Sequence, residues 1–76
     1  PALTVEGDRL VAHVGSVEHP MTPEHYIEWI ALEAEGRLEV HYLEPGMKPT
    51  TFFAGGSKTG IVYAYCNLHG LWSATF

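Results

Sequence analysis

Cys66 is the only cysteine of the chain, and it stands three positions before a histidine in Cys66-Asn67-Leu68-His69-Gly70-Leu71-Trp72. One thiol makes no internal disulfide, so its ordinary roles are a buried apolar filler or a free thiol. A Cys-x-x-His step inside an Asn/Gly turn offers a third role. Such a turn lets a thiolate and an imidazole converge on one ion, and soft sulfur beside imidazole suits iron, zinc or copper rather than magnesium or calcium. Two residues do not hold such an ion, so further ligands are needed. The histidines available are His13, His19, His25, His41 and His69. His19 and His25 bracket Pro20-Met21-Thr22-Pro23-Glu24. Two prolines there forbid a regular helix, since proline lacks a donor and restricts the residue before it. The pair reads as a loop with a histidine at each end, the second opening a strand. With Cys66 and His69 it completes a candidate set of four ligands: His19, His25, Cys66 and His69.

The elements that must position these residues are almost entirely β. Leu3 to Glu6 and Arg9 to Val14 read as strands joined by a Gly7-Asp8 hairpin turn. Residues 15–24 read as loop. His25 to Ala34 reads as a long strand with Ile27, Trp29 and Ala31 on one face and Tyr26, Ile30 and Leu32 on the other. Both faces are apolar, which predicts a central strand. Glu35-Gly36 turns the chain into Leu38 to Leu43, where Leu38, Val40 and Tyr42 alternate with Glu39 and His41. Thr50 to Ala54, Gly60 to Tyr65 and Leu71 to Phe76 complete the set, with Gly55-Gly56-Ser57 as a turn. About seven short strands with turn signals every ~8–12 residues predict an all-β sandwich of immunoglobulin-like type. No helix of useful length is expected.

Size and charge narrow the function classes. With 76 residues, the chain is read as one domain (1–76) with a limited core, and domains this small often add a metal, a disulfide or a partner subunit. The cysteine count removes the disulfide, which favours a metal or an oligomer. A hydrophobic fraction of 46% with two Trp, four Tyr and three Phe belongs to a folded domain. A net charge of −5 without a basic cluster argues against nucleic acid. No apolar run approaches the ~20 residues of a membrane span. A lone thiolate on a metal fits a reducing compartment, so the cytoplasm is the expected location.

Three segments together resemble a known family. Glu18-His19-Pro20-Met21-Thr22-Pro23-Glu24-His25-Tyr26-Ile27-Glu28-Trp29-Ile30, then Leu43-Glu44-Pro45-Gly46, then Tyr65 to Trp72, look like the iron domain of superoxide reductases, the neelaredoxins and the C-terminal domain of desulfoferrodoxin. The resemblance runs over nearly the whole chain. It implies a mononuclear non-haem iron with equatorial histidines, an axial thiolate and an open sixth position. His19, His25 and His69 match equatorial ligands, His69 through its other ring nitrogen, and Cys66 matches the thiolate. It further implies superoxide as substrate, a small electron donor such as rubredoxin, and a homo-oligomer. The family's fourth equatorial histidine and an active-site lysine lie in a Glu-Lys-His motif ahead of the segment corresponding to Pro1, so 1–76 is expected to lack that ligand segment. Neither His13 nor His41 matches a family ligand; His41, alternating with Val40 and Tyr42, is expected to face solvent. Lys48 and Glu24 are expected to be solvated.

The implied chemistry needs these residue types. Reducing superoxide takes one electron and two protons and releases hydrogen peroxide. The substrate must reach the metal, so one position stays open. Neutral imidazoles hold iron without adding charge. An axial thiolate pushes electron density toward the opposite position, and hydrogen bonds to the sulfur tune that push; the backbone N–H groups of Leu68 and His69 are the expected donors. Trp72, Tyr65 and Trp29 are expected in the core rather than as redox relays. Three readings compete: a closed structural zinc site with the same four residues, a cupredoxin-like electron carrier, and an immunoglobulin-like interaction module with incidental histidines. The second is weakened because residues 70–76 hold no Met.

Overall fold

The computed structural model describes residues 1–15, 18–56 and 58–76. Ser57 of the expected glycine-rich turn, and residues 16–17 of the expected loop, lie outside them. Seven strands form: β1 (Ala2–Glu6), β2 (Arg9–His13), β3 (Ile27–Ala34), β4 (Arg37–Tyr42), β5 (Thr50–Ala54), β6 (Ile61–Cys66) and β7 (Gly70–Thr75). They make two antiparallel sheets, one ordered β1-β2-β5 and one ordered β4-β3-β6-β7. The expected all-β sandwich is borne out. No helix among the described residues is long and apolar enough to cross a membrane.

Turn chemistry fixes the hairpins. Gly7 takes φ 65° in the two-residue link between β1 and β2, glycine at the first central position as a type II′ turn prefers. Glu35 and Gly36 both have positive φ, 53° and 75°, the backbone of a type I′ turn. That turn sets β4 against β3 with Ala34 opposite Arg37.

β3 is internal, flanked by β4 and β6, as its two apolar faces predict. Its inner face carries Ile30, Leu32 and Ala34 against Val62, Ala64 and Cys66 of β6 and against Leu10, Ala12 and Phe53 of the smaller sheet. Two face assignments are corrected. The register of β3 on β6 shifts between Ile27 and Trp29, a bulge that reverses side-chain parity. Ile27 therefore joins the buried core with Ile30 instead of sharing a face with Trp29.

The second correction concerns β4. Leu38 and Tyr42 are 65% and 76% exposed and point away from the smaller sheet. Glu39 and His41 point inward. His41 is half-buried: Nε2–H donates to Glu39 Oε2 at 2.7 Å, Nδ1 pairs with Thr51 Oγ1 of β5 at 2.6 Å, and the ring stacks on Phe53 at 4.5 Å. The solvent-facing position expected for His41 is thus overturned. It closes the open edge between the sheets, where a polar ring finds two partners that an apolar β4 side chain could not use. Trp29, Ala31, Leu38, Val40, Tyr42 and Tyr63 consequently line an apolar hollow on the outer face of the larger sheet.

Candidate metal centre

The site lies at one end of the sandwich, where β6 stops. Cys66 is the last residue of β6 on its inward face, 2% exposed, paired with Ile27 on one side and Gly70 on the other. Asn67, Leu68 and His69 form the turn into β7, and Gly70 takes φ 83°, a left-handed position that costs glycine least. The three-residue reversal carries His69 back over Cys66: its Nδ1 lies 3.8 Å from Sγ.

The second half comes from the loop before β3. Thr22 and His25 exchange backbone bonds, N to O at 3.0 Å and 3.1 Å, around Pro23-Glu24. Proline there presets the turn's φ. The Thr22 hydroxyl also contacts His25 O and N at 3.3 and 3.2 Å. His25 therefore belongs to a tight turn, and the strand expected from His25 begins at Ile27. Proline's contribution is this turn, which aims the His25 ring inward.

The four residues meet. One ligand atom each from His19, His25, Cys66 and His69 lies within 4.8 Å of the others. Donors around one ion at ~2.0–2.3 Å sit no more than ~4.6 Å apart, so the cluster needs to contract by only about 0.2 Å to hold one ion. The three rings stand nearly perpendicular, His25 at 4.7 Å from both His19 and His69. The decisive detail is polar accounting. His19 Nε2 and His25 Nε2 are buried with no hydrogen-bond partner, and such orphans are costly unless something satisfies them. His19 Nδ1–H donates to Pro20 O at 2.7 Å, which leaves the Nε2 lone pair free. The pKa of His25 is lowered from its ordinary 6.5, first by burial and then by His19 and His69, so that ring is neutral at pH 7. Two free imidazole lone pairs, a third imidazole and a thiol fit a borderline-soft cation.

Asn67 is the functional residue that sequence reasoning missed. Its Oδ1 accepts from Tyr26 N at 3.0 Å, its Nδ2 donates to Glu24 O at 3.0 Å, and its own N–H donates to Tyr26 O at 3.2 Å. One side chain thereby ties the Cys66 turn to the His25 turn. The only available signal was an Asn beside a candidate ligand. Met21 helps at the loop's other end, its Sδ accepting from Ile27 N at 3.4 Å and its carbonyl from Gly46 N at 2.9 Å. Around the sulfur the near polar groups are His69 Nδ1 and, at 4.0 Å, Asn67 Oδ1; Val14, Ile27 and Ala64 give it an apolar floor.

The remaining candidates fall away from the cluster. His13 Nδ1 pairs with Thr50 Oγ1 at 3.0 Å on the outer face of the smaller sheet, and His41 is held between the sheets. Lys48 and Glu24 are exposed, as expected. The core position expected for Trp72 is overturned: it is 47% exposed, because β7 is an edge strand with no neighbour to cover it. Its ring lies against His69, centroids 6.2 Å apart and 25° from parallel. Trp29 and Tyr65 are half-buried and stacked at 5.6 Å on the outer face.

Comparison with known proteins identifies the family. The sequence profile of the family described as desulfoferrodoxin matches residues 5–75. A desulfoferrodoxin of Clostridium acetobutylicum is 55% identical over 74 residues, 97% of this chain and 58% of that protein. A superoxide reductase of Pyrococcus horikoshii is 39% identical over 84 residues, 88% of this chain and 73% of that protein. The crystal structure of the superoxide reductase from Treponema pallidum superposes with a TM-score of 0.87 at 39% identity, over 97% of this chain and 63% of that one. The chain thus spans a little over half the length of the desulfoferrodoxin it matches. With a profile match over nearly all of its residues and the same two-sheet fold, the chain belongs to the desulfoferrodoxin family, which it shares with superoxide reductases.

Proposed function

We propose that His19, His25, His69 and Cys66 hold one iron and that the chain reduces superoxide to hydrogen peroxide there. The observation that carries the reading is the pair of buried, unpartnered Nε2 atoms beside the Cys66 thiol. When bound, iron supplies the one-electron couple and the positive charge that draws the anion.

The chain's own residues do the rest. His25 would meet the metal as a neutral ring, and Pro20 O takes the Nδ1 side of His19, which turns its Nε2 toward the site. Cys66 would supply the thiolate ligand, from an apolar floor of Val14, Ile27 and Ala64. Asn67 keeps the two halves of the ligand set in register. His69 is the exposed member of the four, so solvent protons and a small anion reach the site from its side. A net charge of −5 repels superoxide at long range, so capture depends on the local field at the centre.

A closed zinc site is the reading this must beat. It uses the same donors but leaves no redox couple. The partners follow from the reaction and the surface: a one-electron donor such as rubredoxin, and a second copy of the chain packed on the outer face of β3, β4 and β6, where Trp29, Leu38, Tyr42 and Tyr63 sit. Apolar faces of this kind mark interaction sites. A metal-bound free thiolate persists in a reducing cytoplasm.

The test is product balance. Reduction returns one peroxide for each superoxide and no oxygen; dismutation returns oxygen as well. Pulse radiolysis of the iron-loaded chain with peroxide and oxygen assays is expected to give peroxide alone. Oxygen evolution, or no reaction, would reject the reading.

A further inference from the structure

We infer that the cleft between the two sheets at the end away from the metal centre binds a small carboxylate with an apolar chain, and that Lys58 meets its carboxylate. The inference stands on the fold and does not depend on the iron reading. It starts from Val5. In the β1–β2 register Val5 stands directly opposite Leu10, and opposite residues of an antiparallel pair share a face. Leu10 is buried in the core, so Val5 also points between the sheets. It is nevertheless 72% exposed. β1 is an edge of the three-stranded sheet, and the space that Val5 looks into is left unfilled among the described residues.

That space is a cleft of about 410 Å³, within the ~300–1,000 Å³ range of small-molecule sites. Leu10, Leu32, Phe53 and Phe76 line it; the first three belong to the buried core and Phe76 packs against it. Gly7 and Gly56 are exposed at its mouth. A Cβ on either would meet nothing within 4 Å, so the entrance is open. Gly56 N–H donates to Asp8 O at 3.1 Å, which fixes the two sides of the mouth to one another. Leu32 pairs with Val62, four positions before Cys66 on β6, or roughly 13 Å at ~3.3 Å per residue. A ligand here is clear of the four metal-site residues.

Charge selects the ligand's head. No Asp or Glu lines the cleft; the charged residues that do are Arg9 and Lys58. Arg9 is already engaged, with Nη2 3.5 Å from Glu6 Oε1 and its guanidinium 4.8 Å over the Phe52 ring. Lys58 has no ion pair among the described residues. An exposed ammonium beside a buried apolar floor suits one carboxylate on an apolar chain. The chain leaves water along Leu32, Phe53 and Phe76, and the carboxylate stays at the wet lip with Lys58. A polar body would lose its water to walls that return no hydrogen bond. A cationic head would meet two like charges. The volume lies near the lower end of the range for ligand sites, so the chain is of medium length.

Titration of the zinc-loaded chain with sodium octanoate, followed by amide chemical shifts, tests this beside 1-octanol and octyltrimethylammonium, which carry the same chain. Saturable shifts are expected at residues 5–10, 53–56, 58 and 76, and none of comparable size at residues 66–70. Octanoate is expected to bind more tightly than 1-octanol, and the ammonium not to bind. Lys58→Glu is expected to weaken octanoate by about threefold or more, the scale of an exposed ion pair, and to leave 1-octanol unchanged. Val5→Trp, a change at an exposed position that fills the gap, is expected to weaken octanoate and 1-octanol alike. Parent-like circular dichroism checks the fold of both variants. The absence of saturable shifts, or shifts centred on residues 66–70, would overturn the inference. Unchanged octanoate affinity in Lys58→Glu would overturn the role of Lys58, and in Val5→Trp the place of the site.

Discussion

His19 and His25 stand with ring centroids 4.7 Å apart and 80° between their planes, and each buries an Nε2 that no protein atom satisfies. Two adjacent orphaned lone pairs are a cost in the empty fold and become an asset once a cation joins them. Metal binding therefore stabilises the fold, and by mass action the stabilisation grows with free metal. Chelation of the loaded chain is expected to lower Tm, and His25→Ala to abolish that chelator effect. A chelator-insensitive Tm in the parent chain would contradict the ligand assignment.

Asn67 makes three bonds to the His25 turn and none to the proposed metal. Asn67→Ala removes two of them and leaves Tyr26 N–H without its acceptor. Outer-shell changes of this kind cost roughly 10–100-fold in metal affinity. Competition with a metal indicator is expected to show that loss with iron or zinc, while circular dichroism keeps the β signature. Unchanged affinity would show that the two turns hold their register without Asn67.

His41 is a structural histidine, and its replacement separates it from the ligands. His41→Leu leaves Glu39 and Thr51 without their ring partner. Breaking such partly buried bonds costs about 1–3 kcal/mol. Urea unfolding is expected to show that cost with one metal still bound per chain. Loss of metal in this variant would place His41 in the centre after all.

Gly60 has no room for a side chain. A Cβ there would stand 2.7 Å from Glu33 O and 3.0 Å from Ala34 Cβ, and Gly60 exchanges two 3.0 Å backbone bonds with Phe76. The obstacle is backbone, which a neighbouring rotamer cannot relieve. Gly60→Ala is expected to cost about 1–3 kcal/mol, measured by chemical denaturation, and a neutral effect would mean that the Glu33–Ala34 end of β3 gives way.

Tyr63 holds its phenol proton above the ordinary 10.0, first through its hydrogen bond to Glu33, then through burial and the Glu33 charge. The O–H donates to Glu33 Oε1 at 2.9 Å. A raised native pKa means that the folded state keeps a proton the unfolded chain releases. The contribution is full below pH 10 and lost as pH rises from 10 through the native value. Glu33→Gln is expected to move the Tyr63 ultraviolet titration downward and to flatten the alkaline fall in stability. An unmoved titration would exclude Glu33 as the cause.

Much of the site was legible from residue chemistry, and the rest was hidden for identifiable reasons. His19, His25, Cys66 and His69 stood out because prolines and an Asn/Gly turn allow convergence where a helix would not. The centrality of β3 followed from its two apolar faces. Which face pointed inward did not, because the bulge between Ile27 and Trp29 changes parity without a sequence marker. The alternation in β4 revealed two faces but not their order. His41 points in because Thr51 and Phe53 of β5 lie across the open edge, a fact of sheet packing. Asn67 was invisible for a similar reason: its partners Glu24 and Tyr26 lie 43 and 41 positions away. Trp72 looked like core by type and is half exposed by position, because among the described residues β7 is the edge of its sheet.

The measurement that tests the central claim most directly is metal analysis with the visible absorption spectrum of the ferrous-loaded chain, before and after mild oxidation, beside Cys66→Ser. One iron per chain, a thiolate-to-iron band that appears on oxidation, and its absence in Cys66→Ser are the expected result. Preferential zinc uptake, or an iron-loaded chain whose spectrum does not depend on Cys66, would contradict the assignment of His19, His25, His69 and Cys66 to one redox-active iron.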